Sequence, residues 1–439
     1  MPAHVWQSQR PKPRETIMTS RTHSRIAQTG KPAVFALWLL FLLPGWFTPA
    51  AGAGPALQTQ SLRVEGSDWQ ITLPAGMRLD ILTTRLDGPR LMSFLPNGDL
   101  LLGSKSGRVY RLAPPYTDPG VLLRLDDYPH SVAWRDGELL IARTGGLYRV
   151  AYTPGQPAID PAAVELVAAL PAGGGHSSRS VGVGPDGHVY VSLGISGNCS
   201  DEYLDSDYPF KDRRGGVYRL DETGDRPVLV PFASGLRNPV GFDWHPATGE
   251  LYASNNGPDH LGFEQPPEYF ARLLPGSFHG MPWFQFDGER IERDDCIRRE
   301  PPRPIDDVER PVATFPARNA PMGVSFVPAG ALDDRFTGDA IVALRGSWGK
   351  RPSGGMFGRK ATRRPPMLVL VKFSEAKATG EVMDVLTGLQ RPDGERLLRP
   401  VGVAIGPDGA LYFTSDAHLQ GLFRLSAAKS EPQTSVTDN

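Results

Sequence analysis

Short apolar runs that alternate with polar residues recur along the chain, in pairs separated by a tight turn. The pattern is plainest in "LMSFLPNGDLLLGS", "VGVGPDGHVYVSLG" and "VGVAIGPDGALYFTS". Alternation with period two is typical of β-strands with one buried face. Asn-Gly and Asp-Gly suit a two-residue hairpin turn, because both central positions need a positive φ. Each unit is therefore predicted to be a β-hairpin.

The hairpin recurs six times at intervals of 39, 50, 62, 81 and 79 residues. A four-stranded propeller blade takes about 40–50 residues, so the later units carry insertions. The repeats predict an all-β, six-bladed β-propeller with long inserted loops over residues 54–439. A pair of β-sandwiches is the alternative, but it leaves six similar turns unexplained. The turn glycines are Gly98, Gly137, Gly187, Gly249, Gly330 and Gly409.

A propeller also needs a strand that closes the ring. The stretch before the first hairpin, "WQITLPAGMRLDILTTRL", alternates in the same way. It is predicted to supply the closing strand, because full closure protects the strand edges of the terminal blades.

The apolar run near the N-terminus is of a different kind. Ala33–Leu43 is 11 residues long, and a bilayer span needs about 20. Basic residues precede this run and the small residues Ala51-Gly52-Ala53 follow it, as in a secretory signal peptide. Residues 1–53 are therefore predicted to be a signal peptide with an N-terminal extension, the alternative being an uncleaved membrane anchor. Export would place the protein in the periplasm or outside the cell, with no membrane span after cleavage.

Net charge and cysteine content limit the classes of function and the compartment that the sequence allows. Cleavage after Ala53 takes Lys plus Arg from 47 to 41 and Asp plus Glu from 48 to 47, a net charge of −6. No basic block remains to indicate a nucleic-acid partner. Cys199 and Cys296 are candidates for one disulfide bond in an oxidising compartment, which the sequence alone does not establish.

The fourth hairpin, in "GLRNPVGFDWHPATGELYASNNGPD", carries unusual residues at both ends. Arg237 and Asn238 precede its first strand, whereas Gly257 and Pro258 follow its second, so all four meet at one rim. Arginine pairs with carboxylates bidentately, and turn carbonyls ligate calcium. The rim is predicted to bind an anionic ligand that also coordinates a metal. Alternatively, Arg237 ties down a loop and the Gly-Pro pair is an ordinary turn.

Other hairpins add candidate residues at the same rim. His176 precedes the first strand of the third hairpin, and a neutral imidazole there would serve as a general base near pH 7. Arg399 precedes the first strand of the sixth hairpin. Arg345 follows the second strand of the fifth, with Lys350 nearby. A lone loop histidine is most often a surface residue, but a base, several cations and turn carbonyls around one channel indicate a site.

Several of these motifs resemble the glucose/sorbosone dehydrogenase family, and most closely its L-sorbosone dehydrogenase-like branch. The motifs are "GLRNPVGFDWHP", "GGHSSRSVGVGPDGHVYVSLG" and "LRPVGVAIGPDGALYFTSD", and the resemblance runs from Gln70 to Ser426. It implies a six-bladed propeller that binds pyrroloquinoline quinone (PQQ) and calcium. The expected reaction is oxidation of a sugar or sugar aldehyde, of the aldose or sorbosone type, with hydride transfer to the quinone. An electron acceptor would then be a further partner.

The resemblance also implies roles for individual residues. His176 resembles the catalytic base, and Arg237 with Asn238 resembles the pair that holds the quinone. The carbonyls of Gly257 and Pro258 match those that ligate calcium, which would polarise the reacting carbonyl as a Lewis acid.

Three further cations have counterparts around the cofactor. Arg399 matches a cation that contacts a cofactor carboxylate. Arg345 is the nearest basic residue to the family's fifth-blade cation, and Lys350 is its rival for that place. All three are expected to bind the cofactor.

The chain departs from the better-known glucose enzymes at one position. There an acidic residue after the third-unit strand orients the catalytic histidine, and here Ile195 takes its place. Either another group, such as Asp201 or Asp259, orients His176, or turnover is weak.

Two other functions stay open. A calcium-dependent propeller hydrolase, such as a lactonase, would hold its metal with Asn255, Asn256 and Asp259, but it leaves the cations unexplained. A non-catalytic binding propeller would keep ligand affinity without any turnover.

Overall fold

The computed structural model describes residues 55–428, which are mostly β-strand. The predicted signal segment, residues 1–53, lies outside the described residues. Within residues 55–428 there is no α-helix and no helix long and apolar enough to cross a membrane. The 3-10 helices of this range are Pro161–Ala163, Phe210–Asp212, Ile305–Asp307, Asp334–Phe336 and Lys360–Thr362.

Mainly antiparallel sheets form the blades of a six-bladed propeller, which confirms the predicted fold. The strands in chain order are β1 (Leu57–Val64), β2 (Ser67–Pro74), β3 (Met77–Thr83), β4 (Pro89–Phe94), β5 (Leu100–Ser104), β6 (Arg108–Leu112), β7 (Gly120–Arg124), β8 (Pro129–Arg135), β9 (Glu138–Arg143), β10 (Gly146–Ala151), β11 (Glu165–Ala169), β12 (Arg179–Val183), β13 (Val189–Leu193), β14 (Gly216–Asp221), β15 (Val228–Ser234), β16 (Phe242–Trp244), β17 (Leu251–Asn255), β18 (Glu268–Leu273), β19 (Ser277–Phe278), β20 (Phe284–Phe286), β21 (Ile291–Arg293), β22 (Ala313–Phe315), β23 (Pro321–Phe326), β24 (Ala340–Leu344), β25 (Met367–Ser374), β26 (Lys377–Leu386), β27 (Leu398–Ile405), β28 (Leu411–His418) and β29 (Gly421–Ala427).

The blades follow the chain in order. Blade 1 is β4–β7, blade 2 is β8–β11, and blade 3 is β12–β15 with β19 added at its outer edge. Blade 4 combines β16–β18 with β22, and blade 5 is β23–β26. Blade 6 combines β27–β29 with β3. Two short hairpins, β1–β2 and β20–β21, lie outside the blades.

The ring closes through the N-terminal strand β3, as the sequence predicted. β3 pairs antiparallel with β29, the last strand, so that Leu79 lies opposite Leu425 and Ile81 opposite Phe423. Because the closing strand comes from the other end of the chain, the sixth blade is completed by pairing rather than by a covalent link.

The six turn glycines behave as the hairpin pattern requires. Each lies between the first and second strand of a blade, with φ between 69° and 90°. Side chains disfavour this left-handed region, which glycine enters without steric cost. The turns therefore fix the register of the two inner strands in every blade.

The innermost strands approach one another closely around the channel. A Cβ on Gly241 would collide with the carbonyl of Met322 in the next blade, and one on Gly402 with the carbonyl of Arg90. Apolar side chains fill the space between blades further out. Leu140 of blade 2, for example, packs with Val189 of blade 3. This packing holds the first-strand starts and second-strand ends of neighbouring blades at one rim.

Cys199 and Cys296 form a disulfide bond with a Cα–Cα distance of 6.2 Å. It joins the insertion of blade 3 to that of blade 4, across a sequence separation of 97 residues. A cross-link over a long loop stabilises mainly by restricting the unfolded chain.

Cys199→Ser should therefore lower the free energy of unfolding by about 2–4 kcal/mol. Urea denaturation under oxidising conditions measures the loss. In a reducing buffer, the variant and the wild type should unfold at the same urea concentration. Equal midpoints under oxidising conditions would show that the bond does not stabilise the fold.

Candidate functional site

A cavity of about 380 Å³ opens over the channel at the rim where the inner strands begin. Strand starts of several blades and the loops beside them supply its walls. The predicted residues that line it are His176, Arg237, Asn238, Gly257 and Arg345.

Three predicted residues do not line this cavity: Pro258, Lys350 and Arg399. The Lys350 ammonium donates to the Met356 carbonyl in its own loop (2.8 Å). The Arg399 guanidinium donates to the carbonyl of Arg345 (2.9 Å) and supports the backbone there. The sequence places both cations at the rim, but packing directs their side chains elsewhere.

His176 is held by a main-chain carbonyl. Its Nδ1 lies 2.6 Å from the carbonyl oxygen of Ile195, and the Ile195 amide donates to the Arg237 carbonyl (2.9 Å). When the imidazole donates through Nδ1, Nε2 is left as the proton acceptor. The backbone carbonyl of Ile195 thus orients the ring, in place of the suggested carboxylate of Asp201 or Asp259.

The surroundings of His176 favour its neutral form. Burial, and then the nearby Arg237 guanidinium, lower the pKa of the imidazole to about 4. At neutral pH the ring is therefore uncharged, as a proton acceptor must be.

Arg237 is clamped by the loop that carries the disulfide. Its Nε donates to the Asn198 carbonyl (3.1 Å) and its Nη2 to the Asn198 side-chain oxygen (2.9 Å). The Asp259 carboxylate lies 3.7 Å from Nη2. Because Asn198 precedes Cys199, the disulfide also fixes the position of this guanidinium. Asn198 was not predicted from the sequence, because its contact with Arg237 bridges 39 residues.

Two buried charged residues beside Gly257 were also missed. The Arg318 guanidinium donates to the carbonyls of Pro258 and Gly262, and to the Asp259 carboxylate at 3.0 Å. The Glu268 carboxylate accepts from the Gly257 amide (2.6 Å), and burial raises its pKa to about 7. The sequence did contain a signal for Arg318, because this residue precedes β23 as Arg237 precedes β16.

These contacts determine whether the carbonyls of Gly257 and Pro258 are available to ligate calcium. The Pro258 carbonyl already binds a cation, the guanidinium of Arg318. The carbonyls of Gly257 and Pro258 are therefore not free as a pair, and the present arrangement does not fit calcium at this position.

A second charged cluster lies on the opposite wall. The buried Asp416 carboxylate pairs with Arg90 (2.6 Å), Lys105 (2.6 Å) and Arg345 (2.9 Å). Burial disfavours its ionised form, but the three cations outweigh burial and hold its pKa well below the usual range. One carboxylate for three cations leaves a surplus of positive charge facing the cavity.

The cavity therefore suits an anionic ligand. Its walls and base hold five cations against three carboxylates, and burial favours partial protonation of one of these, Glu268. Trp348, with 52% of its surface exposed, adds a flat aromatic face at the rim. Guanidinium groups recognise carboxylates, while an aromatic face packs against planar or apolar surfaces.

Two known families match parts of the chain. Residues 162–347 match the family described as Glucose / Sorbosone dehydrogenase, which confirms the resemblance predicted from the sequence. Residues 296–423 match a second family, described as TrAA12-like.

Solved structures share the fold at low sequence identity. A Trichoderma reesei Carbohydrate-Active Enzymes Family AA12 protein, in an iodide structure, is 18% identical, with a TM-score of 0.66 over 81% of this chain and 97% of the other. The holo PQQ domain of a Coprinopsis cinerea pyranose dehydrogenase is also 18% identical (TM-score 0.63, 82% and 97%). The soluble aldose sugar dehydrogenase of Escherichia coli, in its apo form, is 16% identical (TM-score 0.53, 80% and 100%).

Proposed function

We propose that the protein oxidises a sugar or sugar aldehyde, of the aldose or sorbosone type, with bound PQQ. The match of residues 162–347 to the glucose/sorbosone dehydrogenase family supports this proposal. One observation carries the proposal. A neutral imidazole, oriented by the Ile195 carbonyl, faces a cavity with surplus positive charge. Such a cavity suits an anionic quinone beside a proton acceptor.

The chain's own residues would bind the cofactor and move the proton. Arg237 and Arg345 would pair with cofactor carboxylates, and Asn238 would add a hydrogen bond. His176 Nε2 would accept the proton of the substrate hydroxyl, while Nδ1 stays bonded to the Ile195 carbonyl. When bound, PQQ supplies the carbonyl that takes up the substrate hydride.

Calcium at Gly257 and Pro258 stays a prediction of the family resemblance. The Arg318 guanidinium already binds the Pro258 carbonyl, so calcium would have to displace a buried cation. We therefore assign no step to calcium.

Export to the periplasm or outside the cell is part of the proposal. The signal-like segment before residue 54 supports it, as does the Cys199–Cys296 bond, because disulfides persist in oxidising compartments. The electron acceptor would then be a partner available outside the cytoplasm.

The contacts of the polar rim residues disfavour the hydrolase alternative. Asn255 accepts through its side-chain oxygen from the Asn238 amide (3.0 Å), and Asn256 donates to the Pro321 carbonyl (2.7 Å). The Asp259 carboxylate pairs with Arg318. The metal-binding oxygens of Asn255 and Asp259 are thus engaged with protein groups, and Asn256 is engaged through its side-chain nitrogen.

Arg237→Ala should weaken PQQ binding about 10- to 150-fold. The variant leaves a cofactor carboxylate without its partner, and hydrogen bonds to charged groups contribute about 1.5–3 kcal/mol. Absorbance titration of the purified protein with PQQ measures the change. Arg272→Ala, which removes a surface arginine paired with Glu250, is the matched control and should bind PQQ like the wild type. Equal affinities for both variants would place the cofactor away from Arg237.

The same titration tests the calcium assignment when it is run in EDTA and in calcium chloride. Because Arg318 occupies the Pro258 carbonyl, we expect the PQQ affinity to be equal in the two buffers. Binding that needs calcium would restore the predicted Gly257–Pro258 site, whereas absence of binding in both buffers would contradict the proposed cofactor.

A further inference from the structure

A second and larger cavity, of about 720 Å³, lies at the junction of blades 5 and 6 and the β1–β2 hairpin. It shares no lining residue with the cavity over the channel. Arg363 and Arg396 form part of its wall, together with Lys360 and His418. The proposed function uses none of these four residues.

The two guanidinium groups have no acidic partner in residues 55–428. Arg396 is only 5% exposed, and it donates to the Gln390 side-chain oxygen (2.7 Å) and the Arg364 carbonyl (2.9 Å), both neutral groups. The Nε of Arg363 is buried and has no hydrogen-bond partner among the described residues.

The acidic residues of the cavity do not neutralise these cations. The Glu395 carboxylate pairs with Arg391 at 2.5 Å. The Asp393 carboxylate accepts from the Glu395 amide at 2.9 Å, and Glu65 is exposed on the β1–β2 turn. None of the three forms an ion pair with Arg363 or Arg396 in the described part of the chain.

The positive charges of Arg363 and Arg396 also repel each other. Burial, followed by the charge of Arg363, lowers the pKa of Arg396 to about 10. Buried cations of like charge without a counter-ion destabilise a fold, and a bound anion would offset that cost.

We propose that this cavity is a second binding site, for a small organic anion whose carboxylate or phosphate group lies between Arg363 and Arg396. Both groups suit the planar donor arrangement of guanidinium. Trp69 and Leu397 supply apolar surface for the rest of the ligand, and the volume is that of a small-molecule site. The inference does not depend on the proposed dehydrogenase activity.

Isothermal titration of the purified protein with gluconate, and separately with inorganic phosphate, tests the site. Arg363→Gln is the decisive variant. The Nε of Arg363 makes no hydrogen bond within residues 55–428, so the substitution removes none there. We expect saturable binding of at least one probe, weakened about 10- to 150-fold by Arg363→Gln. Gluconate alone would identify a carboxylate site and phosphate alone a phosphate site.

Arg272→Ala is the matched control, because Arg272 is a surface arginine paired with Glu250 and lines neither cavity. It should leave probe binding unchanged. Binding lost in Arg237→Ala and kept in Arg363→Gln would place the anion over the channel and overturn the proposal, as would no saturable binding of either probe. A failure of PQQ to bind would leave the result unaffected, so the two proposals fail separately.

Discussion

His176→Ala should lower sugar-dependent turnover about 10²- to 10⁴-fold and leave PQQ binding unchanged. The imidazole is neutral and held by the Ile195 carbonyl, and a positioned general base contributes a factor of this size. Glu268, a second candidate base whose pKa burial raises to about 7, is engaged with the Gly257 amide. Dye reduction at saturating PQQ gives the turnover, and an absorbance titration gives the binding.

His188→Ala is the control, because His188 lies in the turn region between β12 and β13, away from the cavity. The pH profile of the wild type is a second readout. A base works only when unprotonated, so activity should persist as pH falls from 7 and be lost near pH 4, where His176 gains its proton. Full activity of His176→Ala would remove this residue from the reaction.

Asp416→Asn should lower the free energy of unfolding by about 3–5 kcal/mol. Removing one partner of a buried ion pair leaves uncompensated charge, and here Arg90, Lys105 and Arg345 would lose their shared carboxylate. The shift of the urea midpoint measures the loss when the slope of the unfolding free energy against urea concentration is the same in both proteins.

Asp408→Asn is the matched control on the same blade. Its carboxylate pairs with Arg424, and both side chains are more than a quarter exposed, so the expected loss is at most about 1 kcal/mol. Equal losses in the two variants would show that the Asp416 cluster does not hold the blades together.

The fold was predictable because its determinants are local. Each blade is marked by a hairpin whose alternation and turn glycine lie within about 20 residues. Closure by β3 was predictable for the same reason, since its alternating pattern precedes the first hairpin.

The site was predictable in its backbone but not in its side chains. Strand starts and ends placed His176, Arg237 and Arg345 at one rim. The same reasoning placed Arg399 there, yet its guanidinium turns to support the Arg345 backbone. Side-chain direction depends on packing between blades, which no single strand contains.

The charged residues that were not predicted have partners far away in the sequence. Asp416 lies 326 residues from Arg90, and Arg318 lies 60 residues from Pro258, so neither partner is evident in a local pattern. The group that orients His176 was also not predicted. The sequence indicated a missing acid at Ile195, whereas the main chain of that residue makes the contact.

Dye reduction by the purified protein, saturated with PQQ and supplied with a panel of aldoses and sorbosone, measures the proposed dehydrogenase activity directly. We expect reduction that requires both PQQ and a sugar and that is lost in His176→Ala. No sugar-dependent reduction by protein that binds PQQ stoichiometrically would contradict the dehydrogenase.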